Sequence, residues 1–96
     1  MHFVAICLDN PNSLELRLSN RAAHLDYLRK HTKTIRTCGP LLDDDGETMI
    51  GSMLILDCPD EAGARAFLVG DPYAKVGLFE SSELWPWRVV VGGIKE

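Results

Sequence analysis

The stretch MIGSMLILDCPDEAGARAFLVG, residues 49–70, is the clearest guide to the architecture because it joins one predicted strand directly to one predicted helix. Its first part, Met49–Cys58, is short and apolar and is typical of a buried strand. Its second part, Pro59–Gly70, predicts a helix that ends near Gly70. A strand followed at once by a helix is half of a repeating α+β pattern.

The same order occurs at the start of the chain. HFVAICLD, His2–Asp9, predicts a strand that ends at the Asn10-Pro11 turn. A helix follows, capped by Asn12 or Ser13 and running to about Lys30. Its apolar positions share one face at helical spacing: Leu14, Leu18, Ala22, Leu25 and Leu28.

Two further strands complete the pattern. Thr34–Asp43 predicts a strand interrupted at Gly39-Pro40, and Leu84–Gly93 predicts the last strand. One more helical turn is expected in DPYAKVGLF, residues 71–79. The order βαββαβ predicts a ferredoxin-like α+β sandwich, with an antiparallel sheet and both helices on one face. We expect residues 1–96 to form a single domain.

The strands are apolar on both faces. Alternate residues of the third strand point to opposite sides, with Met49, Met53 and Ile55 on one side and Ile50, Leu54 and Leu56 on the other. Two helices cover only one side, so a second copy of the chain is the simplest cover for the other. We expect a homodimer through the sheet face; the alternative is that the strands tolerate exposed apolar residues.

Composition narrows the function classes. The 96-residue chain has a formal net charge of −4, which argues against a nucleic-acid partner but not against a small anionic ligand. Three widely spaced cysteines without a CxxC favour reduced thiols in the cytoplasm. No signal peptide and no membrane helix is expected.

Arg21 and His24 are the first candidates for chemistry. Arg21 falls within the predicted apolar stripe, and His24, three residues later, is its neighbour at the edge. A structural interpretation has Arg21 extend its head to water and His24 bond to backbone. A functional interpretation has His24 transfer protons and Arg21 bind an anionic or enolate oxygen in a small cleft.

Asp71, Ser52 and Tyr73 are the next candidates. Asp71 in GDPY is expected to cap a helical turn, and its carboxylate also has the capacity to hold His24 in one tautomer, one oxygen serving each role. Ser52 offers a hydroxyl to a ligand or to backbone. Tyr73, Trp85 and Trp87 suit a pocket, although core or interface packing is the commoner use. The glycines Gly39 and Gly51 indicate a bulge or a close approach.

Several other sites are excluded by spacing. His24 and His31 are about 10.5 Å apart along a helix, which is too far to share a metal. DDDGE lacks the ligand spacing of a calcium loop. The third strand lacks the stacking aromatics of an RNA-recognition domain. We therefore expect no metal and no cofactor.

The chain resembles the YciI-like (YCII-related) proteins over nearly its whole length. The resemblance is carried by SLELRLSNRAAHLDYL, CGPL, GSMLI, DPYAKVGLFES and the closing PW. It implies a ferredoxin-like fold, a dimer built as an α+β barrel, and an active site centred on His24 and Asp71. Ser52 and Arg21 match further pocket positions. Relatives often read RPAHL where this chain has RAAHL, with Ala22, and the loop LLDDDGETMIG is short.

Two functions of different class follow. In the first, the protein is a cofactor-free enzyme in which His24, oriented by Asp71, acts as acid or base on a small carbonyl or hydroxy-aromatic compound. Arg21, Ser52 and Tyr73 would contact that compound, and the reaction would be an isomerisation or an elimination. In the second, the same pocket belongs to a non-enzymatic module that binds a small molecule or a partner protein. A purely structural role for the His24–Asp71 pair is the third reading.

Overall fold

A computed structural model of the chain describes residues 1–93. Its elements in chain order are β1 (His2–Asp9), α1 (Leu14–Ser19), α2 (Arg21–Arg29), β2 (Ile35–Leu42), β3 (Met49–Asp57), α3 (Glu61–Gly70), α4 (Pro72–Lys75) and β4 (Phe79–Trp87). The helical turn expected after Gly70 is present as α4. None of the helices within residues 1–93 is long and apolar enough to cross a membrane.

The four strands form one antiparallel sheet in the order β2-β3-β1-β4. The central strands are therefore β1 and β3, and each is followed along the chain by helix. This order confirms the predicted ferredoxin-like α+β arrangement. Tyr27 of α2 and Phe67 of α3 pack on the same core cluster, so both helical layers cover one face of the sheet.

The core follows the alternation of β1. Phe3, Ala5 and Cys7 are buried, and their partners on β3 are Leu56, Leu54 and Ser52. Side chains on the intervening positions point to the opposite, uncovered face. Ser52 is thus the one polar residue among these six buried residues of β1 and β3, and it lies at the end of β3 that faces Cys7.

The predicted continuous first helix is wrong. It divides at Asn20, whose φ of −108° and ψ of 5° lie outside the helical region. The break turns the chain, so Leu14 and Leu18 do not belong to the buried face; Leu18 is 50% exposed. The positions that point inward are instead Arg17 and His24.

The last strand lies earlier than predicted. It spans Phe79–Trp87, and residues 88–93 lie outside it. Trp87 pairs with His2, the first residue of β1, so β1 offers no partner beyond that point. Without a neighbouring strand, Val90 and Val91 are almost fully exposed.

The two strand glycines differ in their surroundings. A Cβ on Gly51 would collide with the backbone carbonyl oxygen of Cys7 on the neighbouring strand. A Cβ on Gly39 would meet nothing within 4 Å. Of these two strand glycines, Gly51 is the one that close approach requires.

We expect Gly51→Ala to lower the free energy of unfolding by about 1–3 kcal/mol, the usual cost of forcing extra volume into a packed site. Gly39→Ala is the matched control and should stay within about 0.5 kcal/mol of wild type. Urea denaturation followed by circular dichroism measures both. Equal stability of the two variants would contradict the close packing of β3 against β1.

Candidate active site

A cavity of about 200 Å³ lies between the sheet and the break of the first helical segment. We call it the His24 cavity; its chemically relevant lining residues are Arg17, Arg21, His24, Cys38, Ser52 and Tyr73. The structure thus brings four of the predicted site residues together on one surface. Asp71, the fifth, is buried and in direct contact with His24.

His24 and Asp71 form a short hydrogen bond. Nδ1 of His24 lies 2.8 Å from Oδ1 of Asp71, and both side chains are largely shielded from solvent. When the ring is neutral, this contact favours the tautomer in which Nδ1 carries the proton and donates it to the carboxylate. The other ring nitrogen, Nε2, is then the acceptor available to a molecule in the cavity.

Asp71 also caps α4, as predicted, but with the same oxygen. The backbone N–H of Tyr73 donates to Oδ1 at 3.0 Å, and Pro72 occupies the first helical position. The two roles therefore coexist on one carboxylate oxygen rather than being divided between two. This cap fixes the carboxylate, and the fixed carboxylate in turn fixes the imidazole of His24.

Tyr73 holds the other side of the imidazole. The His24 and Tyr73 rings stack with centroids 3.9 Å apart and an angle of 13° between their planes. Burial raises the pKa of the Tyr73 hydroxyl, although the nearby Arg17 and Arg21 cations oppose that rise. Tyr73 is therefore a neutral, rigid platform for the imidazole at physiological pH.

Arg17 is the site residue that sequence reasoning missed. It is only 3% exposed, and its Nε and one terminal nitrogen donate to the two carboxylate oxygens of Asp9 at 2.7 and 2.9 Å. Its guanidinium carbon also lies 4.7 Å from the ring centre of Tyr73. Burial lowers the pKa of Arg17, but the hydrogen bond and charge of Asp9 outweigh burial and raise it above its ordinary value.

Ser52 is oriented by Arg17. The guanidinium donates to Ser52 Oγ at 2.9 Å, so the serine oxygen acts as acceptor in that bond. Its own hydroxyl hydrogen remains to be donated elsewhere, and the lining of the His24 cavity is where Ser52 meets open space. A cationic donor on the oxygen makes that hydroxyl a stronger donor.

The other predicted residues differ in burial. Arg21 is exposed and lines the cavity, so it sits where the cavity meets solvent. Trp85 and Trp87 belong to β4 and do not line the cavity. The three cysteines form no disulfide; Cys7 and Cys58 are buried, whereas Cys38 is exposed and lines the cavity. No group of three His, Cys, Asp or Glu side chains is placed for a metal within residues 1–93.

Comparison with known proteins identifies relatives of this chain. The model of the YCII-related domain matches residues 1–88. The chain belongs to this family. Protein YciI of Escherichia coli is 33% identical over 94% of this chain and 99% of its own length, and an uncharacterized Haemophilus influenzae protein is 30% identical over the same shares.

Solved structures of other proteins share the fold of this chain. The 5-chloro-2-hydroxyhydroquinone dehydrochlorinase TftG of Burkholderia phenoliruptrix, in complex with 2,5-dihydroxybenzoquinone, superposes with a TM-score of 0.83 and 34% identity, covering 92% of this chain and 94% of that one. An antibiotic biosynthesis monooxygenase superposes with a TM-score of 0.55 at 10% identity, over 94% of this chain and 98% of that one. The second likeness concerns the fold alone.

We expect Asp9→Ala to destabilise the protein by about 3–5 kcal/mol, because it leaves the Arg17 guanidinium buried without its carboxylate. Glu61→Ala is the control, since it breaks the exposed Arg65–Glu61 pair, and it should cost less than about 1 kcal/mol. Chemical denaturation of both variants measures the difference. A cost for Asp9→Ala as small as that of Glu61→Ala would show that the buried pair does not hold the site together.

Proposed function

We propose that this protein is a cofactor-free enzyme that uses His24 for acid-base chemistry on a small hydroxy-aromatic or carbonyl compound. The observation that carries the proposal is the 2.8 Å contact between His24 and Asp71 at the wall of a small cavity that Ser52 also lines. The likeness to a dehydrochlorinase at 34% identity supports the same class of reaction. The reaction is an elimination or an isomerisation.

His24 is the residue that exchanges the proton. Asp71 holds Nδ1–H, so Nε2 accepts a proton from the substrate and later returns it to product or solvent. The positive charge that then forms on the imidazole is stabilised by the Asp71 carboxylate. The stacked Tyr73 ring keeps the imidazole plane fixed while its charge changes.

Ser52 and Arg21 bind oxygen atoms of the substrate. Deprotonation of a ring hydroxyl or of a carbon beside a carbonyl places negative charge on an oxygen, and the Ser52 hydroxyl, polarised by Arg17, donates to it. Arg21 adds a cation at the entrance. The buried Arg17 acts through Ser52 and is a positioning residue.

The elimination needs no external electrons. His24 passes the proton of one ring hydroxyl to the ring carbon that carries chlorine, so this carbon becomes tetrahedral and the oxygen becomes a carbonyl. His24 then accepts the proton of a second ring hydroxyl, whose electron pair forms a second carbonyl. The ring double bond shifts to the chlorinated carbon, and chloride leaves with the electron pair of the carbon–chlorine bond. Proton and chloride together account for the HCl that is lost. One positioned acid-base group contributes roughly 10²–10⁴-fold, which suits elimination from an already acidic ring compound.

We expect His24→Gln to lower kcat by about 10²–10⁴-fold, because it removes the proton acceptor. Asp71→Asn should lower kcat by a smaller factor, because it removes only the charged partner of His24. Asp60→Asn is the matched control: Asp60 also caps a helix, α3, through its Oδ1 and lies outside the cavity. It should leave kcat unchanged. Anaerobic chloride release from chlorinated hydroxyhydroquinones, with ketone isomerisation assays beside it, provides the measurement.

The outcomes separate the two function classes. Turnover that fails in both site variants and survives in Asp60→Asn supports the enzyme. A compound from the same panel that binds at the His24 cavity and is recovered unchanged supports the non-enzymatic binding module instead. If the His24 and Asp71 variants are less stable than wild type and no compound of the panel binds, the His24–Asp71 pair is a structural contact.

The uncovered face of the sheet supports a homodimer. The apolar side chains that alternate with the buried row of β1 and its neighbours are Val4, Ile6, Leu8, Met53 and Trp85, with Ile55 buried among them and Glu83 beside Ile6. Trp85 is 59% exposed and lies opposite Val4 on the neighbouring strand. A contiguous apolar band of this kind is commonly a protein interface, and a two-fold axis allows one such face to cover its own copy.

We expect the wild type to sediment at twice its chain mass of 10.7 kDa and Trp85→Glu to sediment as a monomer, because the charge would be buried in the interface. Val69→Glu is the control; Val69 is 70% exposed on α3, on the helical side. Sedimentation velocity distinguishes the species. A monomeric wild type, or a Trp85→Glu variant that remains dimeric, would contradict a sheet-face dimer.

A further inference from the structure

A second depression, of about 630 Å³, lies beside the His24 cavity. We call it the basic groove; it is lined by Arg29, Thr32, Lys33 and Arg36, together with Leu28 and Cys38. Arg29 ends α2, Thr32 and Lys33 follow it, and Arg36 lies on β2. The groove therefore runs along the end of α2 and the edge of the sheet.

The basic groove and the His24 cavity are neighbours. Leu28 and Cys38 line both of them. A ring in the cavity of about 200 Å³ and an arm in the groove would therefore both contact these two side chains. Both are suited to contact with methylene groups rather than with charge.

The charge of the groove is opposite to that of the chain. The protein has a formal net charge of −4 and ten Lys and Arg residues, yet three of these line this one groove and no acidic residue does. The ion pair of Arg29 with Asp26 is long, at 3.9 Å, and both side chains are more than two-thirds exposed. Such a pair neutralises little of the positive charge. Arg36 interacts with Asp57, which does not line the groove, so Lys33 is the cation on which the test below is placed.

We propose that the basic groove binds an anionic group, a carboxylate or phosphate, carried on a short arm by the compound whose ring occupies the His24 cavity. The proposal rests on the proposed function for the position of the ring. Lys and Arg heads with a threonine hydroxyl beside them are the donors that recognise such oxyanions. The substrate class is thereby narrowed to hydroxy-aromatic or carbonyl acids.

A pair of probes isolates the charge of the arm. 3-(2,5-Dihydroxyphenyl)propanoate is an anion at neutral pH, and its methyl ester carries the same ring and arm without charge. We expect the acid to bind the wild type at least about fivefold more tightly, the effect of one partly screened ion pair. Titrations followed by amide chemical shifts measure both affinities, and added salt should reduce the advantage of the acid.

Two lysine variants test where the charge is recognised. Lys33→Gln removes a cation of the groove, whereas Lys30→Gln makes the same change three residues away, at an exposed position that lines neither depression. We expect Lys33→Gln to lose most of the advantage of the acid over the ester. Lys30→Gln should retain it.

Three results would overturn the proposal: equal binding of acid and ester by wild type, equal loss in the two lysine variants, or no binding of either probe. Failure of the proposed function looks different. In that case the acid is still selected through Lys33, but no compound of the panel is turned over. If ring compounds are turned over but the acid is not preferred, the proposed function is supported and the basic groove has no part in substrate binding.

Discussion

The buried ion pair between Arg17 and Asp9 is the constraint on which the site depends. It joins the end of β1 to α1 and carries the guanidinium to Ser52 and to the ring of Tyr73. Tyr73 in turn stacks on His24. Burying two charges costs several kcal/mol per ion and is recovered only with good geometry, so an apolar pair would serve stability equally well. In the proposed function, the pair therefore serves to orient Ser52 and Tyr73.

The break at Asn20 makes this arrangement possible. The backbone N–H of Asn20 still bonds to Leu16, and that of His24 to Asn20, so the hydrogen bonds nearly continue while the direction changes. Arg17 and His24, one on each side of the break, both contact Tyr73. A straight helix would instead separate them by about 10.5 Å along its axis.

The order of the elements and the helix cap formed by Asp71 could be predicted because their signals are local. The contact of Asp71 with His24, 47 residues away, was one of two interpretations of the residues and was otherwise implied by the family resemblance. Short apolar runs indicate strands, and the sequence Asp-Pro-Tyr indicates a capped turn wherever it occurs. Arg17 was missed because its burial depends on Asp9, a partner on another element, and because arginines on helices are normally exposed. Helical periodicity also chose Leu14 and Leu18 as buried, since it assumes a continuous helix. The spacing of Arg17 and His24, seven residues apart, was the signal available.

The arrangement of charges divides the work of the site. Arg17 is neutralised by Asp9, so it polarises Ser52 without itself attracting an anion. In the proposed function, an anionic ligand is attracted by exposed cations, Arg21 at the cavity and Lys33 in the basic groove. In the proposed function, exposed side chains bind the charge of the ligand and proton transfer takes place inside the cavity. His24, Asp71 and Ser52 would then respond to the charge that develops during the reaction.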